Sequence, residues 1–318
     1  MLKIILLAAG VGSRLRPITD IVPKCLVPVN GIPLLNYWLH TCRQINVRPI
    51  VNTHYMSSMV ESHLDNIKNK FDTEIVYESV LLNTAGTVKR NYKKIRGNRL
   101  MLVHADNLSF FNIHEFVAAH ENRPGESLLT MMVFRTDSPQ DCGIVEIDDR
   151  GIVQAFHEKK QNPPGNLANA AVYIMEPEII EMINQMPGEI LDFSLQVLPS
   201  LIGKISVWEN KVYHRDVGNP MSLLKAQWES PCNSTDAFCE NGFFSDKTEL
   251  LDNLAESVKK ALSLETDKNI LVKDKMDNSE HIKKGEIQII KTVPRGFCSC
   301  EIMKKTGALV YGLSLEQI

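Results

Sequence analysis

The run from Leu7 to Val29, LAAGVGSRLRPITDIVPKCLVPV, constrains this chain more than any other segment. An apolar stretch, Ile4 to Ala9, leads into it and reads as a buried first strand. It gives way to a loop carrying Gly10, Gly12, Arg14, Pro17, Thr19, Pro23 and Lys24. Glycines there let backbone approach a ligand and leave N–H groups to bind phosphate oxygens. Arg14 and Lys24 bring two positive charges to the same loop. Together they describe a cradle for a nucleoside triphosphate. The G-x-G pair alone reads equally as a tight strand-to-helix turn. Two familiar phosphate loops are excluded: no lysine follows the glycines at Walker spacing, and Leu15 stands where a dinucleotide fingerprint has its third glycine.

Downstream, strands and helices alternate. Leu34, Leu35, Trp38, Leu39, Cys42 and Ile45 recur at helical spacing after Pro33. Strands are predicted near 50–54, 74–78, 99–105, 128–135, 144–147, 152–158, 170–175 and 205–209. Helices are predicted near 58–69, 113–121 and 177–185. Such alternation predicts an α/β domain with a mostly parallel sheet and ligands at the carboxyl ends of its strands. The glycine loop and Asp106 both follow directly on predicted strands. The pattern weakens at the polar, turn-rich stretch 229–236, which marks a boundary between residues 1–229 and 230–318. In the second part Leu250, Leu251, Leu254, Val258 and Leu262 form a helical stripe, with Asp246 and Glu249 suited to its start. Residues 274–284 are strongly charged, and 287–290 reads as a strand. This part reads as a small accessory or oligomerisation module, so a homo-oligomer is one expectation.

Composition narrows the partners. A net charge of −3 over 318 residues gives nucleic acid no reason to bind, so phosphorylated ligands must be held by local positive charge. No apolar run approaches the ~20 residues needed to cross a bilayer. The start, MLKIILLAAGVGSR, superficially resembles a signal peptide, but cleavage there would destroy the glycine loop. It reads as a strand, and the protein is expected in the cytoplasm. Seven cysteines lack the spacing of a secreted disulfide scaffold. Cys232, Cys239, Cys298 and Cys300 fall late but match no standard zinc pattern. His54, His104 and His157 flank predicted sites at spacings that suggest no zinc triad.

Asp106 ends the strand RLMLVHA, on the side of the phosphate loop, where a carboxylate can hold Mg²⁺ against a triphosphate. Taken alone, an aspartate there is more often a turn or cap residue. A second carboxylate, Asp216, lies in HRDVGNP. A hard divalent cation prefers one or two carboxylates plus phosphate oxygens and water, so the two make a coherent site if the fold joins them.

The whole string G-x-G-x-R-L-x-P-x-T-x-x-x-P-K-x-L-x-P-V resembles the signature of the sugar-1-phosphate nucleotidyltransferases, the nucleotide-sugar pyrophosphorylases. The resemblance extends over residues 1 to about 225. It implies a Rossmann-like three-layer α/β fold with a mostly parallel mixed sheet, carrying here a small C-terminal module. It implies that Asp106 and Asp216 pair on Mg²⁺, and that Arg14 and Lys24 are catalytic. Ala8, Gly10 and Gly12 would bind nucleotide. LLNTAGTVKRN resembles the family's L-G-T-A-G segment, with Ala85 and Gly86 laid against a flat base and Thr84 and Thr87 supplying hydroxyls. Taken alone, that stretch reads as a helix start capped by Thr84. FHEKKQNPPGNLANAAVYIM resembles the family's E-K-P and N-A-G-I-Y segments. Glu158 and Asn169 would bind the sugar, Lys159 its phosphate, and Gly143 would lie beside it. Taken singly, Glu158 and Lys159 read as a solvated charge run with Lys160. The chain departs from the family pattern at Asn83, Ala105 and Ala171, where glycine is common.

The implied reaction is in-line attack of a sugar-1-phosphate oxygen on the α-phosphorus of a nucleoside triphosphate, with pyrophosphate leaving. Segment order looks closest to bacterial mannose-1-phosphate guanylyltransferase-like enzymes, including relatives acting on heptose or hexosamine phosphates. GTP is therefore favoured, with thymidylyl and uridylyl transfer open. A non-catalytic regulatory paralogue would have lost an aspartate or the loop lysine, and all three are present. A metal-dependent glycosyltransferase would carry D-x-D, whereas Asn107 and Leu108 follow Asp106.

Overall fold

The computed structural model describes residues 1–29, 32–231, 248–264, 269–273, 286–291, 308–310 and 313–317. The apolar start forms β1 (Leu2–Leu7), in which Ile4, Ile5 and Leu6 are fully buried. Each such side chain contributes about 1.5–3 kcal/mol relative to exposure. After the glycine loop come two short strands, β2 (Pro28–Val29) and β3 (Ile32–Pro33), which pair with each other. Helix α1 (Leu34–Gln44) buries Leu34, Leu35, Trp38, Leu39 and Cys42, the stripe its spacing predicts.

The chain then runs through β4 (Ile50–Thr53), α2 (Ser57–Asn66), β5 (Glu74–Tyr77), α3 (Asn83–Arg90), α4 (Tyr92–Ile95), β6 (Arg99–His104), β7 (Asn107–Phe110) and α5 (Ile113–Glu121). A second half follows as β8 (Leu129–Arg135), β9 (Gly143–Ile147), β10 (Val153–Glu158), β11 (Leu167–Met175), α6 (Pro177–Gln185), β12 (Ile205–Glu209), β13 (Tyr213–Asp216) and α7 (Pro220–Glu229). Strand β11 starts earlier than its apolar run suggests, because Leu167–Asn169 pair with Val133–Arg135 of β8.

The central sheet has nine strands, with β10-β9-β11-β6-β1-β4-β5 in order and β8 and β12 joined through β11. Strands β1, β4, β5 and β6 are mutually parallel, and β8, β9 and β12 run the same way. Only β10 and β11 run against the rest. The mixed, mostly parallel sheet with helices on both faces is the α/β Rossmann-like architecture. Side chains alternate across it: Ile4, Leu6, Met101 and Val103 enter one core, while Ile5, Leu100 and Leu102 enter the other. The first core lies under α1, α2 and α5, the second under α3 and α6.

Beyond residue 231, α8 (Thr248–Ser263) carries the apolar stripe: Leu254, Val258 and Leu262 are buried in the same core as Ile18 and Val22. Glu249 lies in its first turn, and Asp246 falls outside the described residues. Strands β14 (Asn269–Lys273), β15 (Glu286–Lys291), β16 (Ala308–Val310) and β17 (Leu313–Gln317) form a separate four-stranded sheet. The charged stretch 274–284 and the four late cysteines also lie outside the described residues. Among the described residues, no helix is long and apolar enough to cross a membrane.

Candidate active site

The site gathers at the carboxyl ends of β1, β4 and β6. After β1, the glycine loop turns through Gly12 at φ 65, a left-handed conformation that favours glycine. A Cβ at Gly12 would stand 2.9 Å from Cβ of Lys24 and 3.4 Å from its Cδ, so the missing side chain makes room for the lysine stem. The Thr19 hydroxyl donates to the Gly12 carbonyl at 2.9 Å and closes the loop. Gly10 has open space around its Cα. Among the described residues, the amides of Gly10, Val11 and Gly12 have no hydrogen-bond acceptor. Free backbone amides are donors a phosphate can use.

Lys24 is 7% exposed, far below the usual value for a lysine. Its Nζ lies 2.8 Å from Oδ2 of Asp106 and 3.0 Å from Oδ1 of Asp216. Asp106 follows β6 after one residue, Ala105. Asp216 ends β13, which pairs antiparallel with β7 in a two-stranded ribbon that sets Asp216 opposite Asn107. The Trp38 indole N–H anchors that ribbon by donating to the Asn107 carbonyl at 2.8 Å. The ribbon is thus what joins the two aspartates across the sequence. Arg14 reaches Asp216 Oδ2 at 3.5 Å from the open side. At Gly218 a Cβ would stand 2.9 Å from that same oxygen and 3.2 Å from the Arg14 guanidinium.

Burial works against the Lys24 ammonium, but attraction to Asp106 and Asp216 and hydrogen bonds to both raise its pKa above the ordinary lysine value. Burial likewise pushes the Asp216 carboxyl up, and the Lys24 and Arg14 charges outweigh it and hold it below the usual carboxylate range. Burial lowers His214, on the same ribbon, to about 4, so it is neutral at pH 7. Burial also lowers the neighbouring His104. A cavity of about 290 Å³ opens beside Arg14 and Asp216, with Arg135, Cys142 and Lys225 on its walls.

Two residues not singled out from the sequence tie the loops together. Asn52, at the end of β4, is buried; its Oδ1 accepts the Ala8 amide at 2.8 Å. Its Nδ2 donates to Glu78 Oε1 and to Thr87 Oγ1, each at 3.1 Å. Glu78, also buried, further accepts from the Thr87 hydroxyl at 2.6 Å and the Leu82 amide at 3.3 Å. The available signal was an asparagine inside the buried run Ile50–Thr53, where an amide needs partners. His54 Nδ1 meets the Glu78 carbonyl at 2.8 Å, and His157 pairs with Glu146, so both have structural partners.

The segment LLNTAGTVKRN, residues 81–91, differs from expectation in detail. Helix α3 begins at Asn83, which takes φ 60 and stands at one of the departures from the family pattern. Thr84 does not cap the helix; its Oγ1 accepts the Phe193 amide at 2.6 Å. A Cβ at Gly86 would overlap the Glu189 carbonyl oxygen, and the Gly86 amide donates to the Leu191 carbonyl at 3.0 Å. That face of Gly86 therefore receives the 189–193 segment of this chain. A cavity of about 360 Å³ lies alongside, reaching Glu78, Leu82 and Lys89.

On the β9–β10 pair, a Cβ at Gly143 would stand 2.8 Å from Oε2 of Glu158 and 2.6 Å from the Phe156 ring, so the glycine admits Glu158. Lys159, half-exposed and at φ 46, lies 3.5 Å from Glu158. Asn169 is oriented twice: its Nδ2 donates to the Tyr173 hydroxyl at 2.7 Å and its Oδ1 accepts the Ala171 amide at 2.9 Å. Ala171 takes φ 54, at the register shift between Asn169 and Tyr173. The structure thus joins Arg14, Lys24, Asp106 and Asp216 in one cluster, and Gly143 with Glu158 and Lys159 in another.

The profile of the nucleotidyl transferase family matches residues 3–231. The chain belongs to that family. Mannose-1-phosphate guanylyltransferase of Mycobacterium tuberculosis is 28% identical over 227 residues, covering 70% of this chain and 62% of the relative. The mannose-1-phosphate guanylyltransferase catalytic subunit beta of Drosophila pseudoobscura is 27% identical over 233 residues, covering 70% and 60%. The match therefore spans less than two thirds of these relatives. HddC from Yersinia pseudotuberculosis, solved with GMP-PN, superposes with a TM-score of 0.60 at 24% identity, over 71% of this chain and 98% of that one. This likeness is one of fold.

Proposed function

We propose that this nucleotidyltransferase moves a nucleoside monophosphate from a nucleoside triphosphate, GTP in preference, onto a sugar 1-phosphate of mannose, heptose or hexosamine type. The observation that carries the proposal is the meeting of Lys24 with Asp106 and Asp216 at the mouth of the glycine loop. Guanylyltransferases among the relatives support the choice of nucleotide.

A sugar-phosphate oxygen attacks the α-phosphorus. One P–O bond forms, the bond to the β-phosphate oxygen breaks, and pyrophosphate leaves. The attacking phosphate is ionised at neutral pH, so no general base is required. Catalysis reduces to positioning and charge neutralisation. The loop amides would receive the triphosphate, Arg14 would neutralise the departing pyrophosphate, and Lys24 would hold the phosphates. Lys159, with Glu158 and Asn169, would align the sugar phosphate. Two convergent carboxylates fit a hard divalent cation: Asp106 and Asp216 would hold Mg²⁺, which supplies charge neutralisation on the reacting phosphates.

The test is pyrophosphate release from a matrix of four nucleoside triphosphates against several sugar 1-phosphates. Release with GTP and one of the three named sugar phosphates is expected, and should be nearly abolished in Lys24→Ala and Asp106→Ala. A blank matrix, or full activity in either variant, would refute the assignment.

A further inference from the structure

Lys24 occupies an unusual position for a phosphate-binding lysine. Its stem is threaded past Gly12, and its ammonium lies between two carboxylates rather than facing the open loop. Asp106 and Asp216 come from different elements, and at this range their charges repel unless a cation lies between them. The lysine supplies that cation, and its three N–H donors suffice for both oxygens. Arg14 at 3.5 Å touches only Asp216, so it cannot take over the task of joining the pair.

We propose that Lys24 is the resting counter-ion of the acid pair and excludes a bare divalent cation until a triphosphate draws the ammonium away. This rests on the reading of Asp106 and Asp216 as cation ligands. An ammonium at 2.8 and 3.0 Å from these two oxygens fills the space between them. A Mg²⁺ ion needs oxygens at roughly 2.0–2.1 Å in octahedral array, so the same pair cannot serve both cations at once. The ammonium has somewhere to go. The amides of Gly10, Val11 and Gly12, unpartnered among the described residues, lie on the same loop and would bring phosphate oxygens past Gly12, beside the lysine stem. Cation and triphosphate then favour each other beyond their direct contact, because each benefits from the lysine leaving the acids. Linkage makes that coupling reciprocal.

The decisive measurement is Mn²⁺ binding to the full chain without nucleotide, followed by the electron paramagnetic resonance signal of free Mn²⁺. Manganese suits the same carboxylate donors. The parent is expected to bind weakly. Lys24→Met is expected to bind about tenfold or more tightly, within the usual range of such couplings. Lys24→Gln, neutral yet able to donate to both carboxylates, is expected to show the same gain and serves if the methionine variant unfolds. Adding Asp106→Asn to either should remove the gain. Mn²⁺ affinity unchanged or lower in a folded lysine variant, yet still weakened by Asp106→Asn, overturns the counter-ion proposal alone. Affinity indifferent to Asp106→Asn in every background overturns the assignment of the acids as cation ligands.

Discussion

Asn52→Ala removes three hydrogen bonds where the glycine loop, β4 and the start of α3 meet. The Ala8 amide loses its 2.8 Å acceptor, and Glu78 and Thr87 each lose a 3.1 Å donor. Thr87 still donates to Glu78, so the main deficits are one orphaned amide and one under-satisfied carboxylate. A buried polar group left without its partner costs about 1–3 kcal/mol, so a combined loss of about 3 kcal/mol is expected. For a domain of this size that corresponds to a fall of about 6–12 °C in Tm. Asn52→Asp makes a sharper test. It keeps an acceptor for Ala8 but sets a carboxyl against Glu78 within hydrogen-bonding distance. Like charges so close raise the folded-state pKa of the introduced group above its unfolded value of about 3.9. The folded protein then holds a proton that the unfolded chain releases, so stability falls as pH rises above about 4. Urea unfolding at pH 5.5 and pH 8 separates the two effects. The alanine deficit should be equal at both, and the aspartate deficit larger at pH 8. An alanine variant within about 0.5 kcal/mol of the parent would refute the network, since changes that small are ordinary for surface sites. So would an aspartate deficit independent of pH.

Three further perturbations follow from the same geometry. Gly86→Ala forces a methyl group onto the Glu189 carbonyl; overpacking of about 1–3 kcal/mol should outweigh a helix-propensity gain of up to about 1 kcal/mol, and an unchanged or higher Tm would contradict it. Gly143→Ala must displace Glu158 or the Phe156 ring, so KM for sugar 1-phosphate should rise while KM for the nucleotide holds, and equal rises in both would refute it. His63, His120 and His214 are buried, with pKa values lowered, burial first, to about 4, about 3 and about 4. The unfolded chain therefore binds more protons below about pH 6.5, and stability should fall by about 1.4 kcal/mol per pH unit per histidine towards pH 4. Urea unfolding that is flat between pH 7 and pH 5 would contradict that.

Local signals carried much of this structure. The apolar run before Gly10 forms β1, the stripe from Leu34 to Cys42 packs as α1, and Asp106 stands at the end of a central strand. What sequence alone could not supply was pairing at long range. The β7–β13 ribbon unites Asp216 with Asp106, yet neither strand is long enough to announce itself by periodicity. Residues 189–193 close over the start of α3, which takes up Thr84 and Gly86 through backbone contacts that no spacing encodes. Asn52 and Glu78 are polar residues at strand ends, where a loop, a cap and a network hub look alike until the partners are seen.

The departures from the family's glycines carry a physical consequence. Asn83 and Ala171 both take positive φ, the conformation that explains why glycine is common there. Asparagine tolerates that region; alanine does so at about 1–2 kcal/mol. At Ala171 the strain sits at the register shift that turns Asn169 towards Tyr173, and the Ala171 amide holds Asn169 Oδ1 in place. Strain persists only where the surroundings over-determine it, and it gathers at functional sites. Ala171→Gly should therefore relieve strain, less about 0.5–1 kcal/mol for the freer unfolded chain and about 0.8 kcal/mol for a methyl that packs against the second core, leaving Tm close to the parent's. The same change loosens the bend that aims Asn169, so KM for sugar 1-phosphate should rise although the protein is about as stable. A variant that melts several degrees lower would show that the packing of the alanine methyl outweighs its strain. One that is more stable with KM unchanged would show that the bend does not orient Asn169 for substrate.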